Sequence, residues 1–204
     1  DNIKSTIQQI PSLQKETYDI LLPQDQSFQK LLTENTDPET VNYQSLKDIF
    51  ISQIYNPDDY QKGYAYFNSS KQMIYPYFST LEQWKQDFGF KLFDQYNLVL
   101  TLYGPGGSFN PSTGVIVIKV DREGIPQREN PIASPLHEII HIGIDKDITG
   151  NLPHRDRERL VDILCSEYLK IPNYQMQNYI NPELDKYIQN INLKDLPKQI
   201  EKYR

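Results

Sequence analysis

Cysteine is almost missing: Cys165 stands alone among 204 residues, so no disulfide can form within the chain. It is expected as a small buried residue on a helix, because no histidine is spare to activate it. Histidine is scarce too, with three in all. No run of about twenty apolar residues occurs, so no helical membrane span is expected. No basic stripe is present and the formal net charge is −6, which excludes the usual footprint of a nucleic-acid binder. The glycine-rich run Gly104-Pro105-Gly106-Gly107 lacks the lysine and the following helix of a phosphate-cradling loop. There is no internal repeat and no Pro/Gly/Ser linker. The chain opens on Asp1 rather than methionine, the pattern of a trimmed or signal-processed chain, which favours export. What the sequence has in plenty is tyrosine, 15 against a single tryptophan, expected as core and interfacial residues with satisfied hydroxyls.

Two of the three histidines fall in His137-Glu138-Ile139-Ile140-His141, an H-E-x-x-H pattern. On an α-helix the histidines stack on one face, about 5–6 Å apart at Cβ, which suits a shared grip on one small cation. Glu138 lies about 100° round the helix from His137, within reach of a water on that cation without being a ligand. The expected ion is zinc, which brings the pKa of its water to near neutral, so that Glu138 can take the proton. Ser134 is the expected N-cap, Pro135 the first helical residue and Gly143 the C-cap. Leu136, Ile139, Ile140 and Ile142 supply an apolar surface to bury.

A catalytic zinc takes three protein ligands. Residues 154–169 have helical period, with Leu160, Val161, Ile163, Leu164 and Tyr168 on the inner side. Glu158 and Asp162 share a face on this helix. Glu158 is the leading third ligand, with His154 and Asp147 as competitors. Asp162 is expected to accept a hydrogen bond from a ligand histidine and fix its tautomer. If His154 is not a ligand, it is a candidate donor to the oxygen that gains charge during hydrolysis. A purely structural alternative remains for each: a solvated acidic face for the Glu158/Asp162 pair, and a loop or helix-start residue for His154.

H-E-x-x-H followed on the next helix by E-x-x-x-D resembles the gluzincins, the thermolysin-like branch of the zincins. The resemblance covers residues 137–162. It departs from the larger gluzincins in the short spacer between His141 and Glu158, which suggests a compact member. The metzincin pattern is not met, since Ile144 and Asp147 occupy the places of its glycine and third histidine. The resemblance implies a zincin-like catalytic core, one catalytic Zn2+, and a peptide or protein substrate. It also implies that substrate adds to the edge of the sheet strand preceding the metal helix, here 114–120.

The rest of the chain predicts an α+β fold, mainly helical with a small, mostly antiparallel sheet. Residues 1–36 read as two or three short helices broken at Pro11 and Pro23. Asp37-Pro38 reads as the start of a helix running to about Tyr55. Residues 60–78 read as aromatic and irregular, and Ser79-Thr80-Leu81-Glu82 as a capping box opening a helix that Gly89 closes. Residues 97–103 and 114–120 read as antiparallel strands joined by a turn-rich loop. Ile171-Pro172 ends the Glu158 helix, Asn181-Pro182 begins another, and the tail from 192 is a short polar helix or a frayed end. The division expected is a helical N-terminal lobe, 1–88, on a catalytic core, 89–204, or else one continuous domain. The function these features favour is a zinc-dependent peptidase, expected to be an endopeptidase; the alternatives are a non-catalytic zinc-binding module and a helical protein-interaction module.

Overall fold

The computed structural model describes residues 22–34, 42–104, 106–126 and 130–204. It is mainly helical with one small three-stranded sheet. In chain order the elements are α1 (Gln26–Glu34), α2 (Tyr43–Ile49), α3 (Gln61–Phe88), β1 (Asn97–Thr101), β2 (Gly107–Asn110), β3 (Val115–Lys119), α4 (Ala133–Ile144), α5 (His154–Ile163), α6 (Pro182–Ile188) and α7 (Leu196–Tyr203). The helix start expected at Asp37-Pro38, and the helices expected before Pro23, lie outside the described residues.

Residues 60–78 are not irregular: α3 runs unbroken through them and through the expected capping box. Phe67, Ser70, Leu81, Trp84 and Phe88 fall at helical spacing on its buried side. Pro76 is exposed within the helix, so its ring and missing N–H disturb only the solvent side. The Ser79 hydroxyl donates back to the Pro76 carbonyl instead of capping a new start. Gly89 does end the helix, in the left-handed conformation with φ of 79°.

The sheet order is β1-β3-β2. The two expected strands, β1 and β3, pair parallel and not antiparallel. The antiparallel partner of β3 is β2, a strand inside the segment expected to be only loop. A tight turn at 110–114, closed by Gly114 N–H to the Asn110 carbonyl, makes β2 and β3 a hairpin. That hairpin reverses the chain, so β3 returns in the direction of β1. Because β3 is central, it has no open edge, and the edge expected to receive substrate is not on 114–120. Alternation along the strands turns Leu100, Ile116 and Ile118 inward.

Every residue of α4 is buried. Its apolar side chains, Leu136, Ile139, Ile140, Ile142 and Ile144, are each worth roughly 1.5–3 kcal/mol on burial. They force the helix into the main core together with β3, α5 and the inner face of α3. The helix starts one residue before the expected cap: Asn130, not Ser134, receives the early N–H groups, its side chain accepting from Ile132 and its carbonyl from Ala133. Nor does Gly143 end it. The chain continues through a π-helical turn, Asp145–Thr149, to Gly150 with φ of 49°. Gly143 is needed for packing instead, since a Cβ there would lie inside the Phe90 ring. A separate small cluster of Leu22, Phe28 and Leu46 holds α1 against α2.

Candidate metal centre

Burying α4 carries His137, Glu138 and His141 into the interior, where each is under 8% exposed. From α5, Glu158 and Asp162 face them, at 8% and 0% exposed. Isolated polar and charged groups at such depth cost several kcal/mol unless partnered. Here they partner one another. His137 Nε2 lies 3.2 Å from Glu158 Oε2, His141 Nε2 lies 3.1 Å from Glu158 Oε1, and the two Nε2 atoms stand 3.1 Å apart. The three residues offer ligand atoms all within 4.8 Å of one another, a group that could hold a metal ion.

The donor set fits a small borderline cation. Two nitrogens and an oxygen at roughly 2.0–2.1 Å from a tetrahedral ion would stand about 3.3 Å apart, close to the spacings seen. Burial alone would push the Glu158 carboxyl up. Hydrogen bonds and positive charge from His137 and His141 outweigh it and hold Glu158 well below the usual carboxylate range. It is therefore ionised, the form a cation needs.

His154 begins α5 and stands apart from this group. Its side chain is 71% exposed and its Nδ1 lies 3.7 Å from Glu158 Oε1, at the rim. Asp147 falls in the turn after α4, and its side chain lies outside the described residues. Asp162 departs from expectation. Its Oδ1 is 3.7 Å from His137 Nδ1, beyond hydrogen-bond range. The Tyr174 hydroxyl stands between, 2.7 Å from each.

Four residues at the site were not expected. Tyr174 and Gln177 come from the irregular segment that follows α5. The Gln177 backbone N–H donates to Asp162 Oδ2 at 2.6 Å, and its side-chain amide to Glu158 Oε2 at 2.5 Å. No spacing rule points to them, since an irregular chain has no period. Gly107 and Phe109 come from β2. Phe109 stacks on His141 with ring centroids 5.2 Å apart. A Cβ on Gly107 would fall 2.9 Å from Glu138 Cδ and closer still to its Oε1, so only glycine lets the strand approach that carboxylate. The paired glycines at 106 and 107 were the available signal for such an approach.

Comparison with protein-family models, with curated proteins and with solved structures returned no match.

Proposed function

We propose that this chain is a zinc-dependent peptidase with a compact zincin-like core, in which His137, His141 and Glu158 hold the ion and Glu138 is the general base. The observation that carries the reading is the composition of the buried cluster. Among the described residues it has three ligand groups, whereas a structural zinc site is closed by four. Beside those three, α4 holds a further buried carboxylate, Glu138, next in the chain to His137.

A cation bound there supplies Lewis acidity, acidifying water and polarising a carbonyl. The chain's own residues do the rest. Glu138, pressed against Gly107, accepts a proton and later delivers it to the departing amine. His154, exposed at the rim, donates a hydrogen bond to the scissile carbonyl oxygen as that atom gains charge. Strand β2 supplies the edge that 114–120 lacks. The bond from Lys119 N–H to the Gly106 carbonyl, with the register, puts Ser108 and Asn110 in bonded pairs with Val117 and Val115. By alternation, the N–H and C=O groups of Gly107 and Phe109 turn to the outer edge, which no strand among the described residues covers. An extended peptide can pair with them next to Glu138.

The test is digestion of a diverse peptide mixture by zinc-loaded protein, read by mass spectrometry, beside Glu138→Gln. Cuts by the wild type and none by the variant, with zinc retained in both, are expected; general-base loss costs about 10²–10⁴-fold. Equal cutting by the two would remove Glu138 from the reaction. The 3.7 Å approach of His154 to Glu158 favours one alternative, a non-catalytic site closed by a fourth donor. One tightly held ion with no cuts by either protein would put that alternative first.

A further inference from the structure

We propose that Tyr174 is a positioning residue whose hydroxyl relays Asp162 to His137 and thereby turns the bare Nε2 of His137 toward the cation. This rests on reading the three donors as a metal site, and not on the peptidase reading.

A phenol has a single proton to donate. Asp162 is fully buried and receives the Gln177 N–H on Oδ2, as an acceptor. Its Oδ1 receives the Tyr174 hydroxyl proton at 2.7 Å. The phenolic oxygen then has only lone pairs left for His137 Nδ1, also at 2.7 Å, so that nitrogen must carry a proton. Without an ion, Nε2 also carries a proton, which it donates to Glu158; a bound cation takes the place of that proton, and the imidazole, neutral with its remaining proton on Nδ1, presents the Nε2 lone pair between His141 and Glu158. A carboxylate commonly does this work directly. Here the direct path is too long at 3.7 Å, and a tyrosine from outside both metal helices fills it.

The segment that carries Tyr174 is built to hold this position. Ile171 is buried, and the Asn130 amide, at the entry to α4, donates to the Pro172 carbonyl. Asn173 adopts φ of 52°, a left-handed turn that asparagine tolerates better than most residues. Tyr174 N–H then closes on the Ile171 carbonyl. Three residues further on, Gln177 fastens the carboxylates of both Asp162 and Glu158.

The experiment measures zinc affinity, by competition with a chromogenic chelator, for wild type, Tyr174→Phe, Asp162→Asn and the double variant. It also records the ring-nitrogen NMR spectrum of zinc-loaded wild type. The phenylalanine variant deletes one oxygen and keeps the ring, and should bind zinc about 10–100-fold more weakly. The double variant should be no weaker than the weaker single, since both cut one relay. The spectrum should show His137 protonated at Nδ1 and bare at Nε2. Zinc uptake by wild type with equal affinity in Tyr174→Phe would overturn the relay and leave the metal site standing. Additive losses in the double variant would overturn it as well. A wild type that takes up no zinc would end the metal reading and the relay with it. Should Tyr174→Phe fail to fold, the wild-type spectrum decides: a His137 proton on Nε2 overturns the proposal.

Discussion

His154 and Glu158 stand one turn apart at the start of α5, yet one is 71% exposed on its side chain and the other is buried between two histidines. That difference separates their expected roles. Glu158→Ala should weaken zinc binding by more than the 10–100-fold typical of an outer partner. His154→Ala should leave zinc affinity unchanged and slow hydrolysis about 100-fold, as loss of one donor to a developing oxyanion does. Chelator competition and steady-state rates on the two variants check this, and zinc loss in the His154 variant would reverse the assignment. His137 and His141 were legible because a helix repeats its faces every three to four residues, so a spacing of four stacks them; Glu158 could be read only as the leading one of three candidates on the residues that follow. Tyr174 was not. Its contact with Asp162 spans twelve residues of which the last several are irregular, and only the folded path of 171–177 brings it there.

At the scale of elements, the decisive juxtaposition is β2 on α4. The strand is four residues long and begins in a Gly-Pro-Gly-Gly run, so turn signals hide it. Its partner β3 was visible as a β-branched run, but a pattern of alternation does not say which strand it pairs with or in which direction. The first half of long α3 was hidden because residues 60–78 are dense in aromatics and include Gly63 and Pro76, which disfavour a helix interior, although neither interrupts the buried stripe. The closeness of β2 to α4 can be tested at Gly107. Adding one methyl in Gly107→Ala must displace the Glu138 carboxylate or the strand. The expected result is hydrolysis reduced about 100-fold or more with zinc affinity near wild type. Undiminished turnover in that variant would show that the Glu138 carboxylate need not sit against β2.

For the molecule as a whole, the centre is where the core and its polar content meet. The main hydrophobic cluster runs from Tyr60 to Ile200, and the ionisable group sits within it on α4 and α5. The last helix helps to hold that arrangement. Leu196 and Ile200 of α7 are fully buried, Tyr203 donates to Asp156 on α5, and the Arg204 guanidinium reaches the Ile148 carbonyl beyond α4. A cation joining α4 to α5 binds only the folded chain, so it should stabilise the fold by about 2.7 kcal/mol at a hundredfold excess over its Kd. For a chain of this size that is a fall in Tm of roughly 5–10 °C on adding chelator. Calorimetry with and without chelator measures it, and a Tm indifferent to chelator in the zinc-loaded protein would contradict the site.

Tyr174 and Gln177 follow both helices in the chain, so they leave the ribosome after α4 and α5 and there is a stage at which the helices are exposed without them. A nascent chain at that stage holds two histidines and two carboxylates without the groups that orient them. On the reading proposed above, ion-binding competence would thus arrive late in synthesis, with a handful of residues that belong to no helix or strand. A single proteolytic nick among them would undo it while leaving every ligand in the chain.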